Sequence, residues 1–425
     1  MVTPFGLGAE CCWSGLLKGD TAGRLLTPRD FLVTDGDVDF FQPLSDLIRR
    51  PPGGAPVDYQ QVASKLAKAE NPNGWDSNIV HSHLHDCLNI IVMAALSEAL
   101  QDAGLSEQRP ASDRIGSVIG SSKASLRAME MLKSADVMED RAVVSNAAEM
   151  VWTPCFADAP LRCVQQLLHA TGPSLCPVAA CASGLISVIQ GAHLIRSGMC
   201  DVCVVGSADA SLRPSILASF HRLGVTARGA DPATACKPFD QHRDGFIIGE
   251  GGAVMVLESR EHAERRGAEN YGRLHSAGWL TDSTGITQID ASGTVVHELL
   301  SRVSDENGDN APPDMISLHG TGTATNDLAE SNGISRTFGN VAPPCFGIKG
   351  AVGHLLGAAG SVEFAAMLLA MKHGAVPGTA NLNEQDKACP VNLAATARPM
   401  TIRSAIKLSL GFGGHVAACR VDVDS

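Results

Sequence analysis

Short apolar runs alternate with helical patterns along most of this chain, and many of the runs end in a glycine-rich turn. The first half holds GSVIGSS and DVCVVGSADAS, and the second half holds DMISLHGTGT, PPCFGIKGAVG and IKLSLGFGG. Apolar runs of this length that end in turn residues are typical of buried strands. Because helical segments separate the runs, the sequence predicts an α/β protein in which helices cover the sheets.

The same alternation divides the chain into two halves, residues 1–258 and residues 259–425. The first half closes on the strand-like AVMVLES, and a short charged helix leads from there into RLHSAGWL in the second half. All three runs of the second half end in a glycine-rich turn that carries polar residues. Since ligands bind at the carboxyl ends of the strands in α/β sheets, we expect the functional site at these turns.

A cysteine among small residues is the first candidate for chemistry. Cys181 lies in VAACASG, after an apolar stretch and before a helical pattern that Gly198 ends. A cysteine at a helix start lies at the positive end of the helix dipole, which favours its thiolate, and small neighbours leave room for a bulky thioester. From this segment alone, Cys181 is either a nucleophile or a buried structural thiol.

Three further motifs change the interpretation of Cys181. They are HGTGT at His319, KGAVGH ending at His354, and GFGG around Phe412. Together with Cys181 and the stretch KPFDQHRDGFIIGEGGAVMVLE at residues 237–258, they occur in the order found in β-ketoacyl synthases. The chain therefore resembles the β-ketoacyl synthase family, the condensing enzymes of fatty acid and polyketide synthesis, from residue 2 nearly to its end.

The resemblance implies both a fold and a reaction. The fold is thiolase-like, α/β with two similar βαβ halves packed as five layers, α-β-α-β-α. The reaction is that of a β-ketoacyl-[acyl carrier protein] synthase, a decarboxylative Claisen condensation of malonyl-carrier with an acyl group on Cys181, which extends a fatty acid or polyketide by two carbons. An alternative is a subunit of a heterodimeric ketosynthase pair that acts mainly as chain-length or decarboxylating partner. A hydrolytic cysteine enzyme would leave the second histidine and GFGG unexplained.

The resemblance also implies a role for each motif. Cys181 is the nucleophile, and the backbone N–H groups of Cys181 and Phe412 form the oxyanion hole. His319 and His354 donate hydrogen bonds to the malonyl thioester, and the Phe412 ring gates the acyl pocket. Two histidines, rather than one histidine and one asparagine, are typical of the decarboxylating elongation enzymes.

Further residues match the family in supporting roles. Lys349 matches its active-site lysine and Glu363 its buried acidic residue, although any lysine in an apolar setting needs a partner, so a structural ion pair is the alternative. The remaining implied residues are Thr321, Thr323, Phe412 and Gly413 for binding the phosphopantetheine arm, and Asp327 and Glu330 for structural support. The chain departs from the usual residues of the family at Gly350, Val352, Leu410 and Val416.

The resemblance implies an acyl carrier protein as partner, supplied in trans because the chain holds no serine motif for phosphopantetheine attachment. It implies no metal ion and no redox cofactor, since both substrates are carried on phosphopantetheine. It also implies a homodimer or a ketosynthase heterodimer, with residues 142–170 at the interface.

Composition and charge describe the setting of this reaction. The net charge of −12 argues against a nucleic-acid partner, and it means that an acidic carrier must dock on a local basic patch. Thirteen cysteines without a disulfide pattern predict free thiols in a reducing compartment. The sequence shows no signal peptide and no apolar stretch of about 18 residues, so we expect a cytoplasmic protein without a membrane span.

Three local patterns complete the expectations. Cys200 and Cys203 form a CxxC pair that leads into a strand and lacks a second half, so we expect no zinc there. Residues 43–75 are polar and rich in proline and glycine, which predicts an irregular surface insertion. Met1 directly precedes the VTPxG turn, where the family has a longer interior strand, so we expect the native chain to start upstream of Met1.

Overall fold

The structure is a computed structural model that describes residues 1–27, 30, 53–68, 73–106, 110–126, 156–304, 312–339 and 342–423. Its strands are β1 (Val2–Thr3), β2 (Gly6–Leu7), β3 (Arg24–Leu25), β4 (Gly53–Ala55), β5 (Ile115–Gly120), β6 (Ser174–Leu175), β7 (Val202–Asp209), β8 (Ile248–Gly249), β9 (Gly251–Glu258), β10 (Arg273–Thr281), β11 (Met315–Ser317), β12 (Cys345–Phe346), β13 (Ala375–Val376), β14 (Arg398–Pro399), β15 (Ser404–Gly411) and β16 (His415–Asp422). Its α-helices are α1 (Ala9–Lys18), α2 (Tyr59–Lys68), α3 (Ser77–His83), α4 (Cys87–Asp102), α5 (Ala159–Leu168), α6 (Ser183–Arg196), α7 (Pro214–Leu223), α8 (Pro232–Ala235), α9 (Arg260–Arg265), α10 (Thr294–Ser304), α11 (Ala324–Phe338), α12 (Lys349–Val352) and α13 (Ala359–His373).

Two mixed sheets with the same internal plan form the core. The first has the order β2-β1-β9-β7-β5-β6, and the second has the order β10-β16-β15-β11-β12. In the first, β7, β5 and β6 are parallel while β9 and β1 alternate in direction. In the second, β15, β11 and β12 are parallel while β16 and β10 alternate in the same way. The two halves of the predicted fold are therefore visible in the strand directions.

Helices separate and cover these sheets. Between them lie α6 and α13, which contact each other, and each of them contacts strands of both sheets. On the outer face of the first sheet, α4 and α5 contact its strands, and on the outer face of the second, α10 contacts β10 and β16 and packs on α11. The predicted five layers, α-β-α-β-α, are thus confirmed.

The two central helices are largely buried between the two sheets. Most residues of α6 and α13 are buried, 10 of 14 and 11 of 15, which is typical of a helix that is apolar on most sides. Small residues allow these helices to meet at their starts, since a Cβ added at Gly184 would lie 2.5 Å from the Ser361 backbone nitrogen. A Cβ added at Gly360 would lie equally close to the Leu185 nitrogen, at 2.5 Å. This close crossing brings the segments before the two helices together.

The structure corrects the expectation for residues 43–75, and it shows a short first strand. Residues 43–75 are not an irregular insertion where they are described, because residues 59–68 form α2, and Tyr59, Val62 and Trp75 are buried in an apolar cluster with α4. The counterpart of β10 in the first sheet is β1, which pairs with β9 at Val2 alone. The expectation of a longer first strand stays a prediction.

Two further expectations, on the interface segment and on the cysteines, concern residues of which the structure describes only a part. Of the predicted interface segment, residues 142–155 lie outside the described residues, and the rest contains α5. Every cysteine of the described ranges is a free thiol, including buried Cys200 and Cys203. No helix in those ranges is both long enough and apolar enough to cross a membrane.

Candidate active site

Cys181 and His354 precede the two central helices. Cys181 lies in a 3-10 turn, Ala180–Ala182, that runs directly into α6. His354 lies just before the matching turn, Leu356–Ala358, that runs into α13. The close crossing of the helices leaves His354 Nε2 3.2 Å from Cys181 Sγ. A thiol and an imidazole at this distance can exchange a proton.

His319 follows the end of β11 and faces the same space. Its ring lies edge-on to the His354 ring, with the centroids 5.3 Å apart. Lys349 Nζ lies 3.1 Å from His319 Nδ1 and also donates to the His319 carbonyl oxygen. Because an ammonium group only donates, Nδ1 accepts this bond, and the neutral ring carries its proton on Nε2. His319 is therefore arranged as a hydrogen-bond donor.

Burial determines the charge of these groups. Cys181, His319 and His354 are 7%, 2% and 2% exposed. Burial, reinforced by the positive charge of Lys349, holds the pKa of both histidines well below their usual value, so both rings are neutral. Burial also raises the pKa of the Cys181 thiol to about 11, although Lys349 and Lys123 oppose the rise.

The high pKa of Cys181 corrects the sequence expectation of a thiolate. Loss of solvation outweighs the opposing charges of Lys349 and Lys123, so the resting form is the thiol. A group that can take its proton is the neutral His354, 3.2 Å away, whose Nδ1 has no hydrogen-bond partner within the described ranges.

Two buried carboxyl groups fix the backbone around His319. Glu330 accepts from the backbone N–H groups of His319 and Gly320, both at 2.6 Å, and burial raises its pKa to about 7. Asp327 accepts from the backbone N–H of Phe239 at 2.8 Å and from that of Gly322 at 3.2 Å. Both residues thus support the HGTGT turn, and neither faces the thiol.

Glu363 lies beneath His319 and binds Lys349. The two form a buried ion pair through Oε1 of Glu363, and Oε2 lies 4.0 Å from His319 Nδ1. A third charge, Lys407, pairs with Oε2 at 2.7 Å. The ion pair is therefore structural and at the same time holds the group that orients His319.

The loop after β15 lies against the cysteine turn. A Cβ at Gly411 would lie 2.8 Å from the Ala179 carbonyl oxygen and 3.2 Å from the Cys181 nitrogen, so only glycine allows this approach. The Phe412 ring stacks on Phe220 at 6.4 Å. Phe220 in turn meets Phe246, whose ring lies edge-on to His354 at 4.7 Å. An aromatic series therefore leads from the half-buried Phe412 to His354.

The residues expected to bind the phosphopantetheine arm lie at two edges of this space. The hydroxyl oxygens of Thr321 and Thr323 are 2.9 Å apart, and Thr323 directly precedes α11. On the other loop, the exposed Gly413 donates its backbone N–H to the Ile286 carbonyl at 2.7 Å. The two hydroxyls can bind amides of a substrate arm, whereas the Gly413 N–H is already occupied.

Family profiles match most of the chain. Residues 1–263 match the beta-ketoacyl synthase N-terminal domain, and residues 271–383 match the C-terminal domain. The chain belongs to the beta-ketoacyl synthase family. As the sequence predicted, it is an acyltransferase of the condensing type.

Relatives of this synthase share its full length. The tetracenomycin polyketide synthase ketoacyl synthase alpha subunit of Streptomyces glaucescens is 34% identical, with 98% of this chain and 93% of the relative covered. A mitochondrial 3-oxoacyl-[acyl-carrier-protein] synthase of Arabidopsis thaliana is 31% identical, with 98% and 90% covered. A beta-ketoacyl synthase structure from Burkholderia phymatum STM815 has a TM-score of 0.83 at 25% identity, with 100% and 97% covered. The structure of the ishigamide ketosynthase/chain length factor has a TM-score of 0.80 at 25% identity, with 100% of this chain and 97% of that chain covered.

The synthase also has features that the motifs did not reveal. Lys123 binds Asp209 at 3.1 Å and Ser211 at 2.7 Å, next to the turn that follows His354. Lys407 was missed as well, although a lysine inside the uncharged strand AIKLSLG is a visible signal for a buried partner. The departure at Gly350 has a packing reason, since a Cβ there would lie 2.3 Å from the Ala380 carbonyl oxygen.

The cysteine and the two histidines are also the one group in the described ranges with the spacing of a metal site. Their ligand atoms lie within 4.8 Å of one another. A thiolate and two imidazoles suit zinc. The ammonium of Lys349, 3.1 Å from His319, opposes a second cation at this position.

Proposed function

We propose that Cys181 carries the growing acyl chain and that His319 and His354 stabilise the enolate formed from malonyl-carrier. The observation that supports this most strongly is the buried contact of Cys181 Sγ with His354 Nε2, next to a histidine whose proton Lys349 directs to Nε2. This arrangement supplies a nucleophile, an acceptor for its proton and two neutral donors in one space.

In the first half-reaction, Cys181 attacks the thioester carbonyl of an acyl-carrier. The thiol proton passes by way of His354 to the leaving phosphopantetheine sulfur, so that the products are acyl-Cys181 and the free carrier thiol. The backbone N–H groups of Cys181 and Phe412 are assigned to the oxyanion, because the Gly411 approach brings their two turns together.

In the second half-reaction, malonyl-carrier loses CO₂ and the electron pair of the broken C–C bond becomes an enolate. His319 donates from Nε2 to the enolate oxygen, and His354 does so once its proton has moved from Nδ1 to Nε2. This oxygen carries the charge that develops in this step. The enolate carbon then attacks acyl-Cys181 and expels the Cys181 thiolate, which takes up one proton. The product is a β-ketoacyl-carrier two carbons longer, and neither a metal ion nor a redox cofactor enters the balance.

The carrier is a separate acyl carrier protein, and two exposed arginines on and after α7 are candidates for its docking. Arg222 lies in the last turn of α7 and Arg228 follows this helix, and both are exposed. Phe220 of α7 stacks on the Phe412 ring. The structure of a type II polyketide carrier in complex with its ketosynthase has a TM-score of 0.82 with this chain. Arg222→Glu is expected to raise KM for the carrier while kcat stays unchanged, and Arg403→Glu on a distant loop serves as the control.

Trapping the acyl chain tests the proposal. We expect intact-protein mass spectrometry after incubation with acyl-carrier to show one added acyl group, and peptide mapping to place it on Cys181. Addition of malonyl-carrier then discharges the group as a β-ketoacyl product, and the length of the trapped chain reports the preferred substrate. An acyl group on another residue, or none at all, would contradict the assignment.

A second candidate is a subunit of a ketosynthase heterodimer that acts mainly in chain-length control or decarboxylation. It is favoured by the likeness to an alpha subunit and to a ketosynthase/chain length factor. Retention of Cys181 favours the condensing subunit within such a pair. We propose a cytoplasmic homodimer or heterodimer, and light scattering that returned a stable, active monomer near 44.3 kDa would exclude both.

A further inference from the structure

Lys407 is a buried lysine in the middle of β15, an otherwise uncharged strand. Its side chain is 0% exposed. The neighbours Ile406 and Leu408 face an apolar cluster on the other side of the strand, as the alternation of a strand requires. The matching strand of the first half, β7, is occupied by apolar Val205 at this depth, so the sheet itself does not need a lysine.

The ammonium of Lys407 joins three segments that carry the reacting groups. It donates to the Leu318 carbonyl oxygen at 3.0 Å, just before His319, and to the carbonyl oxygen of Leu408 in β15, the strand that leads to Phe412. It also pairs with Glu363 Oε2 at 2.7 Å, in the helix that follows His354. These partners satisfy the buried charge, and they place Lys407 between the strand end that carries His319 and the helix that follows His354.

The contact with Oε2 has a consequence for His319. Without Lys407, the free Oε2 of Glu363 would be the nearest anion to His319 Nδ1, at 4.0 Å. A carboxylate in that position attracts a proton to Nδ1, as Asp and Glu residues do beside many histidines. Lys349 would then lose its acceptor, and His319 would shift toward the Nδ1–H tautomer or the imidazolium.

We propose that Lys407 is a positioning residue for the condensation: by occupying Oε2 of Glu363, it reserves His319 Nδ1 for Lys349 and so keeps the His319 proton on Nε2. This inference rests on the proposed function, in which Nε2 of His319 donates to the enolate oxygen. Lys407 itself touches no reacting atom.

The electrostatic setting agrees with this geometry. The charged and titratable groups that face His319 from the elements around it are Lys349, Lys407, Glu363, Glu330, His354 and Cys181. Burial is the main cause of the low pKa of His319, and Lys349, His354 and Lys407 lower it further. Removal of the Lys407 charge therefore raises the pKa of His319, and a released Glu363 carboxylate raises it again.

The test compares Lys407→Met, which removes the charge at similar length, with Leu408→Met on the opposite face of the same strand. Both half-reactions are measured across pH, namely acylation of Cys181 and decarboxylation of malonyl-carrier. For Lys407→Met we expect the kcat of decarboxylation to fall about tenfold or more. The acid limb of its pH–rate profile should move up by about one pH unit, the size of a nearby-charge effect. KM and the acylation rate change little, and Leu408→Met behaves like the wild type.

A double variant makes the test specific. Glu363→Gln combined with Lys407→Met removes the carboxylate that draws the proton, so its acid limb is expected to return toward that of the wild type. If Lys407→Met does not fold, Lys407→Gln retains a donor for the Leu318 carbonyl and is expected to show the same shift. An unmoved acid limb, or an equal fall of both half-reactions, would overturn the inference. Failure of the wild type to acylate Cys181 would instead refute the proposed function.

Discussion

The neutral state of the two active-site histidines should be measurable as a pH dependence of stability. Burial keeps the pKa of His319 and His354 in the folded chain well below the value of 6.5 that applies when they are exposed. Below about pH 6.5 the unfolded chain therefore binds two protons that the folded chain does not. The free energy of unfolding is fully retained above this pH, and it falls as the pH is lowered through it.

The magnitude follows from one proton per histidine. Each buried neutral imidazole contributes a slope of about 1.4 kcal/mol per pH unit below its unfolded pKa, so the pair contributes about 2.7 kcal/mol per unit. His354→Asn removes one of the two rings, and His242→Asn removes an exposed ring as a matched control. Other buried histidines such as His83 contribute equally to the pH dependence of unfolding in every variant. The difference in slope between His354→Asn and the wild type therefore reports the contribution of His354.

Urea unfolding at several pH values on both sides of about 6.5 provides the measurement. We expect the stability of His354→Asn to decline less steeply than that of the wild type, by about 1.4 kcal/mol per pH unit, and His242→Asn to follow the wild type. Parallel lines for all three proteins would show that His354 is already charged in the folded chain. The proton acceptor of the first half-reaction would then be a different group.

Three further outcomes follow from the site. Cys181→Ala should abolish acyl transfer, whereas Cys181→Gln, which resembles an acylated side chain, should retain decarboxylation of malonyl-carrier, measured as released CO₂. His319→Ala should slow decarboxylation at least about a hundredfold, since one such donor stabilises a transition state by about 2.7–4 kcal/mol, while acylation of Cys181 survives better; an equal loss of both half-reactions would contradict this role. His354→Ala should slow both half-reactions, because His354 also takes the thiol proton of Cys181. Gly411→Ala places a Cβ 2.8 Å from the Ala179 carbonyl oxygen and should slow both half-reactions, and circular dichroism melting separates this effect from unfolding.

The sequence predicts the fold and the reacting residues for identifiable reasons. The strands β7, β11 and β15 are apolar runs that end in turns, and burial on both faces gives such runs their composition. Cys181 and the histidine motifs stand at the ends of elements, where local residue types are constrained by close backbone approach. Gly411 illustrates this, since any other residue would collide with the cysteine turn.

The features that escaped prediction depend on depth and on contacts distant in sequence. The resting thiol of Cys181 follows from its burial, a depth that the local sequence VAACASG does not reveal. Lys407 is visible as a lone charge, but its partner Glu363 lies in another layer and is already matched to Lys349 by the family pattern. A pairing of one carboxylate with two lysines becomes evident only from the distances.

The duplicated architecture gives a structural reason for assigning catalysis to only one of two equivalent turns. Each central helix begins with a 3-10 turn whose first residue has a left-handed φ, 46° at Ala180 and 45° at Leu356, so that Cys181 and Gly357 occupy equivalent positions. At the second turn the last residue of β7, Asp209, accepts the Gly357 N–H at 3.1 Å. At the first turn the corresponding last residue of β15 is Gly411, which has no side chain to occupy the Cys181 N–H. The Gly357 N–H is therefore occupied by a carboxylate, whereas the equivalent Cys181 N–H stays available for a substrate oxyanion.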